Sequence, residues 1–194
     1  TNNNTLAVAD GSGGLASNYT LSGATINVTI IPRTLNVSLS REYDGTTSVS
    51  GSSLTPTFDS LQGGETLALS GTGSVSTANV GSSKAVSLGS IALAAGSGNP
   101  SNYTLNSATM NITQRVINLD GIRAYDATTN VLSSDINTFG NIVSGETLTI
   151  SGTGSVGSNS VAMNKAITIG SLSLGNGSGL ASNYTLTGGT HTFD

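Results

Sequence analysis

The residues of this 194-residue chain with the most chemical potential are two isolated lysines. Lys84 lies in "SKAVSLGSIAL" (83–93) and Lys165 in "NKAITIGSLSL" (164–174). Each shares its part of the chain with an aspartate (Asp44 or Asp126), a glutamate (Glu65 or Glu146) and the asparagine of a "SNYTL" motif. These are the ingredients of a Lys–Asn isopeptide crosslink. That reaction needs a buried, neutral amine beside an asparagine and a protonated acid, hence strongly shifted pKa values. The plainer reading is a Lys–Asp ion pair or a solvated lysine following a loop. Intact mass separates them, because each crosslink releases one ammonia.

A calcium site is the other possibility the acids raise. Asp10, Asp44, Asp59, Asp120, Asp126 and Asp135 fall in expected loops or at strand ends, with Asp44 and Asp126 as the candidate ligands. Calcium requires several oxygens converging on one point, and neither a "DxDxDG" loop nor a Gly-Asp nonapeptide is present. No cofactor is therefore expected. The single histidine, His191, has no counterpart elsewhere and no cysteine for company, so it reads as a solvated side chain. Serines and threonines abound, but no His–Asp arrangement could activate one. The expectation is no catalytic site and no enzyme.

What the lysines share is a repeat. "GETLALSGTGSV" (64–75) returns as "GETLTISGTGSV" (145–156), and "REYDGTT" (41–47) as "RAYDATT" (123–129). "SNYTL" occurs at 17–21, 101–105 and 182–186. A motif returning about every eighty residues marks a position in a module rather than an active site. The chain parses as the C-terminal part of a preceding module (1–31) and two full modules, 32–113 and 114–194, and is expected to begin inside a module of a longer array. All six basic residues fall into repeat pairs (Arg33 with Arg115, Arg41 with Arg123, Lys84 with Lys165), leaving none for a phosphate-binding patch. Nucleic acid is not an expected partner. The joints fall near "TIIPRTL" and "NITQRVI", where the last strand of one module should run almost directly into the first of the next.

Charged residues make up only 8% of the chain, so Ser, Thr, Asn and Gly supply its polarity, a habit of exported surface proteins. There is no cysteine and hence no disulfide framework. No apolar run approaches the ~18 residues of a membrane span, so direct membrane insertion is not expected. Sequons are frequent, Asn18, Asn27, Asn36, Asn102, Asn111 and Asn183 among them, and make asparagine glycosylation worth testing. Alternation at period two is pervasive, as in "TLNVSLS" (34–40) and "YTLNSATMNIT" (103–113), and Gly-rich turns punctuate it. Each module should hold six to eight short strands around its own core. The expected fold is all-β: tandem immunoglobulin-like antiparallel β-sandwich modules, with a parallel β-helix as the alternative. In "SNYTL", Tyr103 and Leu105, like Tyr184 and Leu186, should point inward, each phenol finding a backbone or carboxylate partner.

The landmarks Tyr43-Asp44-Gly45-Thr46-Thr47, Asn79-Val80-Gly81 with Lys84, and Asn102-Tyr103-Thr104-Leu105 resemble the YDG repeat of large secreted Gram-negative adhesins, the filamentous-haemagglutinin-like proteins often exported by a two-partner route. The second copy carries Tyr125-Asp126-Ala127, Lys165 and Asn183-Tyr184-Thr185-Leu186, with Ala127 in place of the motif glycine. The resemblance implies a stalk repeat of a surface adhesin, secreted, with no established enzymatic activity. Such a repeat spaces a distal binding region from the outer membrane and supports adhesion or biofilm formation. Its expected partners are neighbouring repeats, and host or biofilm glycans or proteins through the parent adhesin. The alternative is a module that itself binds glycan or protein. Tyr43, Asp44, Lys84, Tyr103, Tyr125, Asp126, Lys165 and Tyr184 are then structural residues of the repeat.

Overall fold

The computed structural model describes residues 6–23, Thr25 and 27–194, so the first five residues, Ala24 and Ile26 of the N-terminal piece lie outside the described residues. The chain divides into two compact units, Thr1–Ile31 and Pro32–Asp194. In the first, the described residues form a 3-10 turn, Ala16–Asn18, whose leading amide donates to Asp10. The same turn precedes the other two "SNYTL" tyrosines, at Pro100–Asn102 and Ala181–Asn183.

The second unit is all-β, with its sheets curled as half-barrels. In the first repeat six strands form one sheet, in the order Ser48–Ser50, Thr72–Val75, Gly81–Ser87, Tyr103–Thr113, Arg33–Glu42, Thr57–Phe58. A separate ladder joins Leu67–Ser70 to Ala92–Ala95. The second repeat reproduces this plan: Asn130–Leu132, Thr153–Val156, Lys165–Thr168, His191–Phe193, Asn118–Gly121, Ile136–Gly140, with a ladder between Leu148–Ser151 and Ser173–Asn176. Among the described residues the stacked coils of a parallel β-helix are not formed.

Period-two alternation does the folding. Along Arg33–Glu42 the side chains of Leu35, Val37 and Leu39 are buried while their neighbours face solvent, and Ala108, Met110 and Ile112 answer from the next strand. Full burial of each of the Leu, Val, Ile and Met side chains is worth about 1.5–3 kcal/mol, and less for the single methyl of Ala108.

Three expectations need correction. The sheets are mixed rather than wholly antiparallel, because the first and last strands of each repeat lie side by side in parallel. That direction follows from the tandem arrangement: a chain entering at Arg33 must leave at the far end of the sheet, at Thr113, to start the next repeat there. Nor is there one core per repeat. One cluster of buried residues runs from Val37 through Phe193 across both repeats, where Tyr43 of the first packs on Tyr184 of the second, and Leu35, Leu67 and Tyr103 form a smaller separate one. His191, expected in solvent, is buried, because its strand His191–Phe193 lies in the middle of the second sheet. Its Nδ1 accepts from the Leu119 amide at 3.2 Å and its Nε2 lies 2.9 Å from the Leu186 carbonyl. Those partners assign the neutral tautomer with the proton on Nε2, so the ring is a core hydrogen-bonding group.

Candidate functional site

The first strand of repeat one ends where the last strand also ends, Glu42 opposite Thr113. The "YDGTT" turn that follows Glu42 is thereby delivered to the exit end of the module, with the Tyr43 amide donating to the Thr113 carbonyl at 2.9 Å. The turn is held by its own chemistry. Asp44 accepts from the amide of Thr46 at 2.9 Å and from its hydroxyl at 3.0 Å, and pairs with Arg41 at 3.0 Å. Gly45 takes a φ of +76°, the left-handed region that glycine enters without strain. Tyr43 is therefore aimed away from its own repeat.

It meets Glu146. The Tyr43 phenol donates to Glu146 Oε1 at 2.6 Å, and the Tyr184 phenol donates to Oε2 of the same carboxylate, also at 2.6 Å. The two rings meet edge to face, centroids 5.4 Å apart at 81°, a favourable packing for aromatic quadrupoles. Tyr184 further accepts from the Val143 amide at 3.2 Å. The carboxylate is thus gripped by one phenol from each repeat. Burial, then the hydrogen bond to Glu146 and its negative charge, raise both phenol pKa values above the ordinary tyrosine range.

Around this clasp the joint is closed by amides. Asn183, 1% exposed, accepts from the Val80 amide at 3.0 Å and donates to the Asn79 side chain at 3.0 Å. Gln114, the residue linking the repeats, donates to the Tyr184 carbonyl at 2.9 Å. Arg115 reaches back to the Tyr43 carbonyl and pairs with Glu42 at 3.6 Å. At the other end of repeat one, Tyr103 donates to Glu65 and accepts from the Gln62 amide, so each repeat keeps its own Tyr–Glu bond. The bond to Glu65 raises the Tyr103 pKa.

Tyr103 and Tyr184 are buried and Leu105 and Leu186 pack partly on the core. Tyr125, the repeat-two counterpart of Tyr43, is 66% exposed. Asp126 reproduces the Asp44 turn, accepting from Thr128 and pairing with Arg123 at 3.2 Å; the Thr128 amide lowers its pKa. Asp44 and Asp126 thus spend their oxygens within separate turns and do not converge as calcium ligands. Among the described residues no group of three or more His, Cys, Asp or Glu is placed to hold a metal ion.

The crosslink geometry is not met. Lys84 donates to the Thr77 hydroxyl and the Asn79 carbonyl, both at 2.8 Å, and Lys165 to the Ser158 and Ser160 carbonyls. Both lysines therefore fasten the loop before their own strand, and among the described residues every ion pair is made by an arginine. The sequon asparagine Asn183 lies inside the joint, out of reach of a glycan.

What the sequence reading missed is the pairing of Tyr43 with Glu146, 103 residues apart. A signal was present: each repeat carries two tyrosines and one recurring glutamate, more phenols than one carboxylate needs within its own module.

No curated protein and no solved structure is a match for this chain. A family model described as the YDG domain matches it twice, over residues 27–110 and 113–192. Those matches take in most of the sequence and centre on the two repeats joined by the clasp, and the chain belongs to the YDG domain family.

Proposed function

We propose that the chain is a mechanical spacer: a stalk segment of a secreted bacterial cell-surface adhesin that holds a distal binding region away from the outer membrane and supports adhesion or biofilm formation. The observation that carries this reading is the parallel pairing of first and last strands, Arg33 opposite Tyr103 through Glu42 opposite Thr113. Tension enters one strand at its start and leaves the other at its end. The two neighbours are pulled in opposite directions along their length, so their hydrogen bonds are loaded together in shear. Antiparallel termini would instead unzip one bond at a time. The Tyr43–Glu146–Tyr184 clasp supports the same reading, because a packed joint transmits orientation as well as load.

The test is the relative orientation of 32–113 and 114–194 in solution from residual dipolar couplings. A single alignment tensor for both repeats is the expected result; two independent tensors would remove the spacer reading. A second reading, glycan binding, is favoured by one observation, the exposed ring of Tyr125. Binding on a glycan array that Tyr125→Ala abolishes would establish it.

A further inference from the structure

We propose that the face of repeat two around Tyr125 is a docking surface for another YDG module, one that presents the Glu65–Tyr103 face of the first-repeat type. The spacer reading and this inference both rest on the joint already described, and the inference adds which module fits next.

Three pairs of equivalent residues differ in exposure between the repeats. Tyr43 is 4% exposed and Tyr125 is 66% exposed. Val80 packs against the core at the joint, whereas its counterpart Val161 is 85% exposed. On the receiving side, Asn183 is buried while its counterpart Asn102 is exposed. Residues covered at the one internal joint are thus uncovered on the faces that would make a second.

The hook is preformed. The Asp126–Thr128 amide bond and the Arg123–Asp126 pair hold the Tyr125 turn as their counterparts hold Tyr43, so little ordering remains to be done on docking. On the receiving side Glu65 already takes the Tyr103 phenol on Oε2. At the internal joint the Oε1 of Glu146 is the atom that accepts Tyr43.

The motif alanine supplies the selectivity. A Cβ placed on Gly45 would lie 2.9 Å from Val143 Cγ1 across the internal joint. Ala127 carries that Cβ at a φ of +64°. Opposite it, a second-type module offers the stiff branched Val143, and a first-type module offers Gln62, whose unbranched chain can swing aside. Repeat two is therefore matched to a first-type successor.

The experiment extends the full chain at Asp194 with a second copy of residues 32–113, so that Pro32 follows Asp194 as Gln114 follows Thr113. Nitration of Tyr125 by tetranitromethane is followed by peptide mass mapping. The expected result is about tenfold or greater protection of Tyr125 relative to the 194-residue chain, set by the free energy of local opening. That protection should vanish with Glu65→Ala in the added copy and weaken with Gln62→Val there. If the added copy does not protect its own Tyr103, the same readout is taken on an extension by 114–194 carrying Val143→Ala. Undiminished nitration of Tyr125 beside a protected added tyrosine overturns the inference. The spacer reading is lost separately, if 32–113 and 114–194 tumble independently.

Discussion

Replacing Glu146 by alanine removes the acceptor of two phenols at once, one from each repeat, whereas Glu65→Ala removes the acceptor of one. The two glutamates occupy the same place in the repeat, so the second substitution is a matched control for everything except the clasp. The difference between them is the Tyr43 bond. A hydrogen bond to a charged group contributes about 1.5–3 kcal/mol, and the half-exposed carboxylate argues for the lower end. Glu146→Ala should therefore cost about 1.5 kcal/mol more than Glu65→Ala, a further drop in Tm of roughly 3–6 °C for a chain of this size. Thermal and urea unfolding by circular dichroism measure it. In a Tyr43→Phe background the two alanine substitutions should cost the same, since the clasp phenol is already gone. Equal costs in the wild-type background, or strict additivity with Tyr43→Phe, would refute the shared-carboxylate reasoning.

The raised phenol pKa values of Tyr43 and Tyr184 make the joint sensitive to base: their contribution is complete below the unfolded pKa near 10 and is lost as pH rises through the higher folded values. Phenolate absorbance should therefore appear for these two residues only as the repeats uncouple, and ordinary titration of Tyr43 in the native state would contradict this. Gly45→Ala should destabilise by about 1–2 kcal/mol for the left-handed backbone, with the Val143 contact adding to it, whereas Ala127→Gly should stabilise the second repeat; denaturant midpoints give both signs. Glycosylation in a host that modifies sequons should occupy exposed Asn111 and leave Asn183 bare, and a glycan on folded Asn183 would mean that the joint opens.

Much of the fold was legible because the hydrophobic pattern has a period of two and the same pattern returns a module later. Leu35, Val37 and Leu39 announce a strand with one dry face, and the inward Tyr103 follows from its spacing to Leu105. Strand direction was not legible. Alternation is identical in parallel and antiparallel ladders, and only the need to carry the chain onward separates them. The clasp was hidden for a related reason: Tyr43 and Glu146 each look like constants of their own repeat, and nothing local says that one serves the next. His191 misled because a lone polar residue near a terminus is usually solvated, while here the terminal strand is central in its sheet and two backbone groups satisfy the ring. Ala127 shows the same limit. Its turn keeps the left-handed backbone without glycine, held by Asp126 and Arg123.

The two repeats share a plan but not a load path, and that difference orders their failure under tension. In the first, ten residue pairs run from Arg33–Tyr103 to Glu42–Thr113, interrupted by one register shift between Leu35 and Asn36. In the second the same seam is broken in two, with pairs at Tyr184–Arg115 and Thr185–Val116, then at Leu119–His191, Asp120–Thr192 and Gly121–Phe193. Between them the chain turns through Gly188, at a φ of +85°. Bonds in shear resist together only while they belong to one continuous ladder, so the split seam shares force among fewer at a time. Pulled from its ends in a force spectrometer, the chain should lose repeat two first, at the lower force. Restoring the seam by replacing "TGGT" (187–190) with "NSAT", its repeat-one counterpart (106–109), should raise that force toward the value of repeat one. First rupture in 32–113, or a force unchanged by the replacement, would show that load does not pass through the parallel strands.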